Sequence, residues 1–147
     1  MGGYTEDIPG ELCEGVGIPA DSTPGRILIV DDDEDCLSTV AMILGKHGFR
    51  PATAPNREAA LSLLSRLPVE LVILDLYMPD VFGMTLLREA KRIRPRLKAI
   101  ILTAGGDWDT YMDALDDGVQ AYLTKPLAQG EFLKEVRQAL NKRSSVE

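Results

Sequence analysis

Short apolar runs alternate with longer amphipathic segments from Arg26 onward, and this alternation constrains the fold more than any other feature of the sequence. The candidate strands are Ile27 to Val30, Arg50 to Ala54, Leu71 to Leu74, Ala99 to Leu102 and Ala121 to Leu123. The first, third and fourth runs are apolar nearly throughout, which is typical of parallel strands that helices cover on both faces. The alternation therefore predicts a doubly wound α/β domain with five strands and five helices.

The segments between the strand candidates carry apolar residues at helical spacing. One such stripe consists of Leu37, Val40, Ala41 and Leu44, and a second consists of Ala60, Leu63, Leu64 and Leu67. Each stripe recurs at i, i+3, i+4 and i+7, which predicts one helix face turned to the core. Gly48 and Pro68 follow the stripes as helix stop signals.

The negative charge of the chain is concentrated at its N-terminal end. The 147 residues carry a net charge of -7, and residues 1–24 contain five acidic residues and no Lys or Arg. With scattered Gly and Pro and no periodicity, residues 1–24 are predicted to be a flexible acidic tail. The rest carries only -2 and is predicted to form one domain over residues 25–143, with a short end at 144–147.

Composition also limits the function classes. An acidic chain is a poor nonspecific binder of nucleic acid, because phosphate contacts require clustered Lys and Arg. No apolar run reaches the length of a membrane span, so no membrane partner is expected. Two cysteines are too few for a disulfide framework, and we expect a cytoplasmic protein.

Charged and polar side chains stand where the predicted strands end. Asp31 and Asp32 follow the first strand, Asp75 follows the third, Thr103 ends the fourth and Lys125 follows the fifth. Because the carboxyl ends of parallel strands meet at one edge of a sheet, we expect these side chains to be neighbours. Clustered carboxylates repel one another unless a cation lies among them, and Mg²⁺ prefers such oxygen ligands. An Asp in this setting can act as a nucleophile towards a phosphoryl group.

The ordered set of motifs resembles the receiver domain of two-component response regulators. The matching segments are Ile29-Val30-Asp31-Asp32-Asp33-Glu34, Leu74-Asp75-Leu76-Tyr77-Met78-Pro79-Asp80 with Gly83, Thr103-Ala104, and Tyr122-Leu123-Thr124-Lys125-Pro126. The resemblance covers about residues 26–143 and implies a flavodoxin-like fold, with a five-stranded parallel sheet in the order 2-1-3-4-5.

The resemblance also implies a role for each acidic residue. Asp75 would be the phosphoacceptor and a ligand of Mg²⁺. Asp32 would bind Mg²⁺ directly, and Asp31 would bind it through water. The backbone carbonyl of Tyr77 would be a further ligand. Because the Tyr77 side chain is bulky, we also expect it to shield Asp75 and to lengthen the lifetime of the phosphorylated form.

Further roles fall on the last two strands. Thr103 would be the catalytic and switch hydroxyl, Tyr122 the aromatic residue that changes rotamer, and Lys125 the catalytic partner of the phosphate. The resemblance implies a cis peptide bond between Lys125 and Pro126, which is accessible because the second residue is proline.

The implied function is a switch in a two-component phosphorelay. A histidine kinase or a histidine phosphotransfer protein would donate the phosphoryl group, and the chain would catalyse only its own phosphorylation and dephosphorylation. We expect a downstream protein partner that the sequence does not identify, no direct contact with nucleic acid, and a homodimer as one outcome of phosphorylation. A scaffold of the same fold that works without phosphate is the alternative, and both a stand-alone regulator and a piece of a longer chain stay open.

Two other features allow two interpretations each. Trp108, Tyr111 and Met112 belong either to the core or to an exposed partner surface. A basic run is either a solvated face or a docking site; it consists of Arg88, Lys91, Arg92, Arg94, Arg96 and Lys98. We interpret Cys36 and His47 as structural residues of a helix.

Overall fold

A five-stranded parallel sheet in the order β2-β1-β3-β4-β5 forms the centre of the computed structural model, which describes residues 23–105 and 108–141. The strands are β1 (Ile27–Val30), β2 (Ala52–Ala54), β3 (Leu71–Leu74), β4 (Lys98–Thr103) and β5 (Ala121–Thr124). The helices are α1 (Glu34–Lys46), α2 (Arg57–Arg66), α3 (Gly83–Ile93), α4 (Trp108–Asp116) and α5 (Gln129–Asn141). The predicted fold class and strand order are confirmed.

Two predicted segments fall largely outside this description. Residues 1–22 of the predicted acidic tail and residues 142–147 at the C-terminal end are not among the described residues. Within the described ranges, none of the helices combines the length and the hydrophobicity that crossing a bilayer requires.

The second strand is shorter than predicted. It begins at Ala52 rather than at Arg50. Pro51 has no N–H to donate to a neighbouring strand, and the carbonyl of Arg50 accepts a hydrogen bond from Gly25 N–H at 3.0 Å. The residues before Ala52 are therefore bonded outside the ladder with β1.

The fourth and fifth strands are longer than their apolar runs. Lys98 pairs with Leu71 of β3, and Thr103 pairs with Thr124 of β5. These polar residues are held by backbone pairing with a neighbouring strand, which requires no apolar side chain.

The sheet separates two hydrophobic clusters. On one side, Leu28, Val30, Val72, Leu74, Ala99 and Ile101 pack with residues of α2, α3 and α4. On the other side, Ile27, Ile29, Leu71, Ile73, Ile100 and Leu102 pack with residues of α1 and α5. Successive residues of one strand alternate between the clusters because side chains alternate across a strand. Burial on both faces explains why these strands are apolar throughout.

Side-chain caps mark the starts of the first two helices, and a glycine follows the end of the first. Asp33 caps α1 by accepting from Asp35 N–H at 2.9 Å, and Asn56 caps α2 by accepting from Ala59 N–H at 2.9 Å. Helix α1 ends just before Gly48, whose φ of 91° lies in the region that glycine adopts most readily. The predicted stop at Gly48 is therefore confirmed.

Candidate functional site

Three carboxylates gather at the carboxyl edge of the central strands. Asp31 follows β1 and Asp75 follows β3, and the last residues of these strands, Val30 and Leu74, are paired in register. One oxygen each from Asp31, Asp32 and Asp75 lie within 4.8 Å of one another. The structure thus brings together the three acids that the sequence predicted to be neighbours.

Asp31 and Asp32 differ in their surroundings. Asp31 is only 3% exposed, and both of its carboxylate oxygens accept hydrogen bonds. Oδ1 accepts from Asp33 N–H at 3.0 Å, and Oδ2 accepts from Lys125 Nζ at 2.9 Å. Asp32 is exposed. Of the two, Asp32 therefore has the carboxylate that solvent and ions reach directly.

Lys125 links the acids as an internal cation. Its Nζ lies 2.9 Å from Asp31 Oδ2 and 3.8 Å from Asp75 Oδ2. Partial burial opposes the charged form of Lys125, but the hydrogen bond and charge of Asp31, with the charge of Asp75, outweigh it and raise the pKa to about 12. Lys125 is therefore a fixed positive charge at physiological pH.

The surroundings of Asp75 disfavour its ionised form. It is 8% exposed, and its Oδ1 has no hydrogen-bond partner among the described residues. Burial raises the pKa of Asp75, and the nearby Thr103 hydroxyl and Lys125 ammonium oppose this only in part. An added cation would therefore favour the ionised form of Asp75.

Thr103 and Lys125 are held beside Asp75 by the last two strands. Thr103 is fully buried, and its Oγ1, like Asp75 Oδ1, has no hydrogen-bond partner within the described part of the chain. The Thr103 carbonyl accepts from Lys125 N–H at 2.8 Å. The peptide bond between Lys125 and Pro126 is cis. Two buried polar atoms thus lie at the edge of the sheet that also carries Lys125.

The aromatic residues near β5 pack against each other. The rings of Tyr111 and Tyr122 meet edge to face, with centroids 5.3 Å apart and an interplanar angle of 88°. Tyr122 also contacts the cluster on the α2–α3–α4 side of the sheet. Met112 is 38% exposed, and the side chain of Trp108 lies outside the described part of the structure. Tyr111 is half-buried against Tyr122 but belongs to neither hydrophobic cluster, and the exposed interpretation fits Met112.

The loop after β3 closes tightly on Asp75. Gly83 N–H donates to Leu76 O at 2.7 Å, and a Cβ on Gly83 would lie 2.5 Å from the Asp75 carbonyl oxygen. The Asp80 carboxylate accepts from Arg57 N–H at 2.9 Å, which ties the loop to α2. The loop is therefore fixed against the acceptor strand at Gly83 and against α2 at Asp80.

Sequence reasoning missed two residues at this edge. Phe82 precedes α3, is 41% exposed and packs on Tyr77 with ring centroids 5.9 Å apart. The signal was an apolar residue at a helix start, where polar caps are preferred. The Cys36 thiol, which we interpreted only as part of a helix face, is close to Asp31. Burial and the Asp31 carboxylate raise the pKa of Cys36 to about 12.

The basic run is largely engaged within the molecule. Arg88 forms an ion pair with Asp117 at 3.0 Å, and Lys91 donates to the carbonyl of the same residue at 3.1 Å. Arg94 donates to two carbonyls at the end of α2, and Lys98 donates to a carbonyl of α5 at 3.0 Å. These contacts within the molecule weigh against the docking interpretation of the run.

The donor set fits a hard divalent cation. The three acids supply only carboxylate oxygens, and Mg²⁺ commonly binds one or two carboxylates and keeps several waters. The unpartnered Asp75 Oδ1 and the exposed Asp32 are the oxygens available to such an ion.

Comparison with known proteins gives a consistent result. The family model of the response regulator receiver domain matches residues 27–137. The chain is 35% identical over 117 residues to the transcriptional regulatory protein GlrR of Escherichia coli strain K12, a match that covers 80% of the chain and 26% of GlrR. The chain likewise spans only about a quarter of the length of other curated relatives that it matches.

Solved structures show the same architecture. The response regulator receiver domain protein (CheY-like) from Methanospirillum hungatei JF-1 matches with a TM-score of 0.75 and 30% identity, over 80% of this chain and 94% of that one. A response regulator protein from Burkholderia pseudomallei, with a phosphorylated aspartic acid, calcium ion and citrate, matches with a TM-score of 0.69 and 26% identity, over 80% and 73% of the two chains.

Proposed function

Because this chain belongs to the receiver domain family of two-component response regulators, we propose that it is a signalling switch that carries a phosphoryl group on Asp75. The observation that carries this proposal is the buried Asp75, with Lys125 Nζ at 3.8 Å and with two unpartnered oxygen atoms, Asp75 Oδ1 and Thr103 Oγ1. Asp75 supplies the oxygen that attacks phosphorus, the Thr103 hydroxyl can donate a hydrogen bond to a phosphoryl oxygen, and the Lys125 ammonium can neutralise part of its charge. The phosphorylated aspartic acid of the Burkholderia pseudomallei relative supports the same assignment.

We assign Mg²⁺ to the acidic cluster as its cofactor. Asp32 and Asp75 would hold the ion directly, together with the backbone carbonyl of Tyr77, and Asp31 would act through water because both of its oxygens already accept hydrogen bonds. When bound, the ion supplies positive charge that offsets the carboxylates and the phosphoryl oxygens. The calcium ion in the Burkholderia pseudomallei relative supports a divalent cation here.

The placement of the side chains supports the following transfer step. One carboxylate oxygen of Asp75 attacks phosphorus, and an O–P bond forms while the P–N bond of a phosphohistidine breaks. The imidazole leaves with the electron pair and takes up a proton. Lys125 neutralises charge on the transferred group, and Thr103 hydrogen-bonds to it. The donor is a histidine kinase or a histidine phosphotransfer protein, and the chain catalyses no reaction other than gaining and losing this group.

The switch proposal concerns Thr103 and Tyr122. A phosphoryl group on Asp75 would draw the Thr103 hydroxyl towards it, and the space left would let the Tyr122 ring move from its contact with Tyr111. This is a shift between two packings of one core. With fluorotyrosine incorporated at Tyr122, its fluorine NMR signal should change on phosphorylation. Thr103→Val, which keeps the shape of the side chain and removes the hydroxyl, should reduce that change.

Intact mass measurement tests phosphorylation. The full chain is incubated with Mg²⁺ and phosphoramidate, and we expect the mass of one phosphoryl group to be added. Asp75→Asn should abolish the addition, and Asp80→Asn, an exposed acid of the same loop, should preserve it. No addition to the parent chain would favour the phosphate-independent scaffold, and addition to Asp75→Asn would place the acceptor elsewhere.

A further inference from the structure

Two exposed aromatic rings stand beside the acceptor. Tyr77 is 50% exposed and Phe82 is 41% exposed, and their ring planes meet at 46°. The two residues also form an isolated antiparallel bridge. Because Gly83 packs against the backbone of Asp75, this aromatic pair is fixed next to the acceptor.

Phe82 is not explained by helix stability or by core packing. It occupies the N-cap position of α3 and makes no side-chain capping bond there, whereas Asp33 and Asn56 cap α1 and α2. A polar side chain would satisfy an N–H of the first turn that Phe82 cannot satisfy. Phe82 is also too exposed to count as a core residue. Departures from local preference of this kind are expected mainly at functional sites.

We infer that the Tyr77–Phe82 pair binds the imidazole ring of the phosphohistidine that donates to Asp75. This inference rests on the proposed function and names the group that the acceptor edge recognises. In an in-line transfer to an oxygen of Asp75, the leaving group lies on the opposite side of phosphorus, towards the solvent side of the edge at which Tyr77 and Phe82 are exposed.

An imidazole ring fits the chemistry of this rim. Its flat face can pack against Tyr77 or Phe82, as aromatic pairs do. Aromatic faces also attract the positive charge that the ring carries when it is protonated. The exposed carboxylate of Asp80 at the same edge adds to this attraction. A donor whose leaving group is not a ring gains none of the packing.

Two small donors separate recognition of the ring from the chemistry of transfer. Phosphoimidazole and phosphoramidate both transfer phosphorus from nitrogen, but only the first releases a ring. We measure the rate of phosphorylation of the full chain with each donor at a fixed Mg²⁺ concentration. In the double variant Tyr77→Asn/Phe82→Asn, the ratio of the phosphoimidazole rate to the phosphoramidate rate should fall about threefold to tenfold.

The matched control is Ile93→Asn, which removes a 40% exposed apolar side chain from the other end of α3. Its ratio should equal that of the parent chain. Phe82→Leu is a second variant, which keeps an apolar side chain and removes the ring; it should lower the ratio less than the double variant. Thermal unfolding of each variant shows whether it is folded, and Phe82→Leu carries the test if the double variant is not.

The outcomes distinguish this inference from the proposed function. An unchanged ratio, or equal losses with both donors, would overturn the role of the aromatic pair while phosphorylation of Asp75 stands. Failure of the parent chain to accept phosphate from either donor would overturn the proposed function itself. A selective loss with phosphoimidazole supports the inference.

Discussion

Replacing Gly83 by alanine should destabilise the domain, although alanine is the better helix former. Gly83 is the first residue of α3. A Cβ at this position would lie 2.5 Å from the Asp75 carbonyl oxygen and 2.8 Å from Leu76 Cα. Both atoms belong to the backbone, so no side chain can rotate away to relieve the overlap. The loop must move away from Asp75, or the strand end must shift.

The expected loss is about 2 kcal/mol. Overpacking of this kind costs about 1–3 kcal/mol, and the better helix propensity of alanine returns less than about 1 kcal/mol. For a domain of this size the melting temperature falls by roughly 3–6 °C per kcal/mol, so we expect a decrease of roughly 6–12 °C. Because the overlap adjoins Asp75, Mg²⁺ should also bind more weakly.

Urea and thermal unfolding of Gly83→Ala beside Gly45→Ala provide the test, with Mg²⁺ affinity measured by calorimetry. Gly45 lies in α1, and a Cβ there would have no atom within 4 Å. Gly45→Ala should therefore raise the free energy of unfolding by about 0.5 kcal/mol and leave Mg²⁺ affinity unchanged. The reasoning fails if Gly83→Ala is as stable as the parent chain, or if it binds Mg²⁺ equally well.

Three further predictions concern the charged residues and Tyr77. Because burial raises the pKa of Asp75, Asp75→Asn should increase stability to urea at pH 7 without Mg²⁺, and the gain should shrink as the pH falls through that raised pKa; equal stability at pH 7 would contradict this. Lys125→Met should cost about 2 kcal/mol by removing the Asp31 partner, less than for a fully buried pair because Lys125 is 23% exposed. Because the pKa of Lys125 is raised to about 12, the difference in urea stability between the parent chain and Lys125→Met should narrow as the pH rises from 10.5 through 12. A constant difference would count against the ion pair. Tyr77→Asn should speed dephosphorylation, measured by the decay of the phosphorylated mass, and equal decay would remove the shielding role.

The fold was predictable where a pattern is local. β1 and β3 have the predicted bounds because each is an uninterrupted apolar run followed by an acid. The predicted β2 was too long because the Arg50 carbonyl bonds to Gly25, which lies far away in sequence. The polar start of β4 and the polar end of β5 were missed because Lys98 and Thr124 are placed by pairing with Leu71 and Thr103 of the neighbouring strands.

The candidate site also contains features that could be predicted from the sequence and features that could not. The juxtaposition of Asp31 and Asp75 follows from strand order, which the resemblance supplied. The Tyr77–Phe82 contact could not be predicted, because it depends on how the loop after β3 folds back at Gly83. The basic run was also ambiguous, because Asp117, which engages Arg88, comes from the end of a different helix.

The sheet divides the hydrophobic core of the domain into two separate clusters, one on each face. Tyr122 packs with the cluster that α2, α3 and α4 share, while α1 and α5 pack with the other cluster. A rearrangement that begins at Tyr122 therefore disturbs one compartment first and reaches the other only through the strands. A protein bound to the α1–α5 side would therefore sense the change through β5, in which Ala121 and Leu123 flank Tyr122 and pack against that cluster.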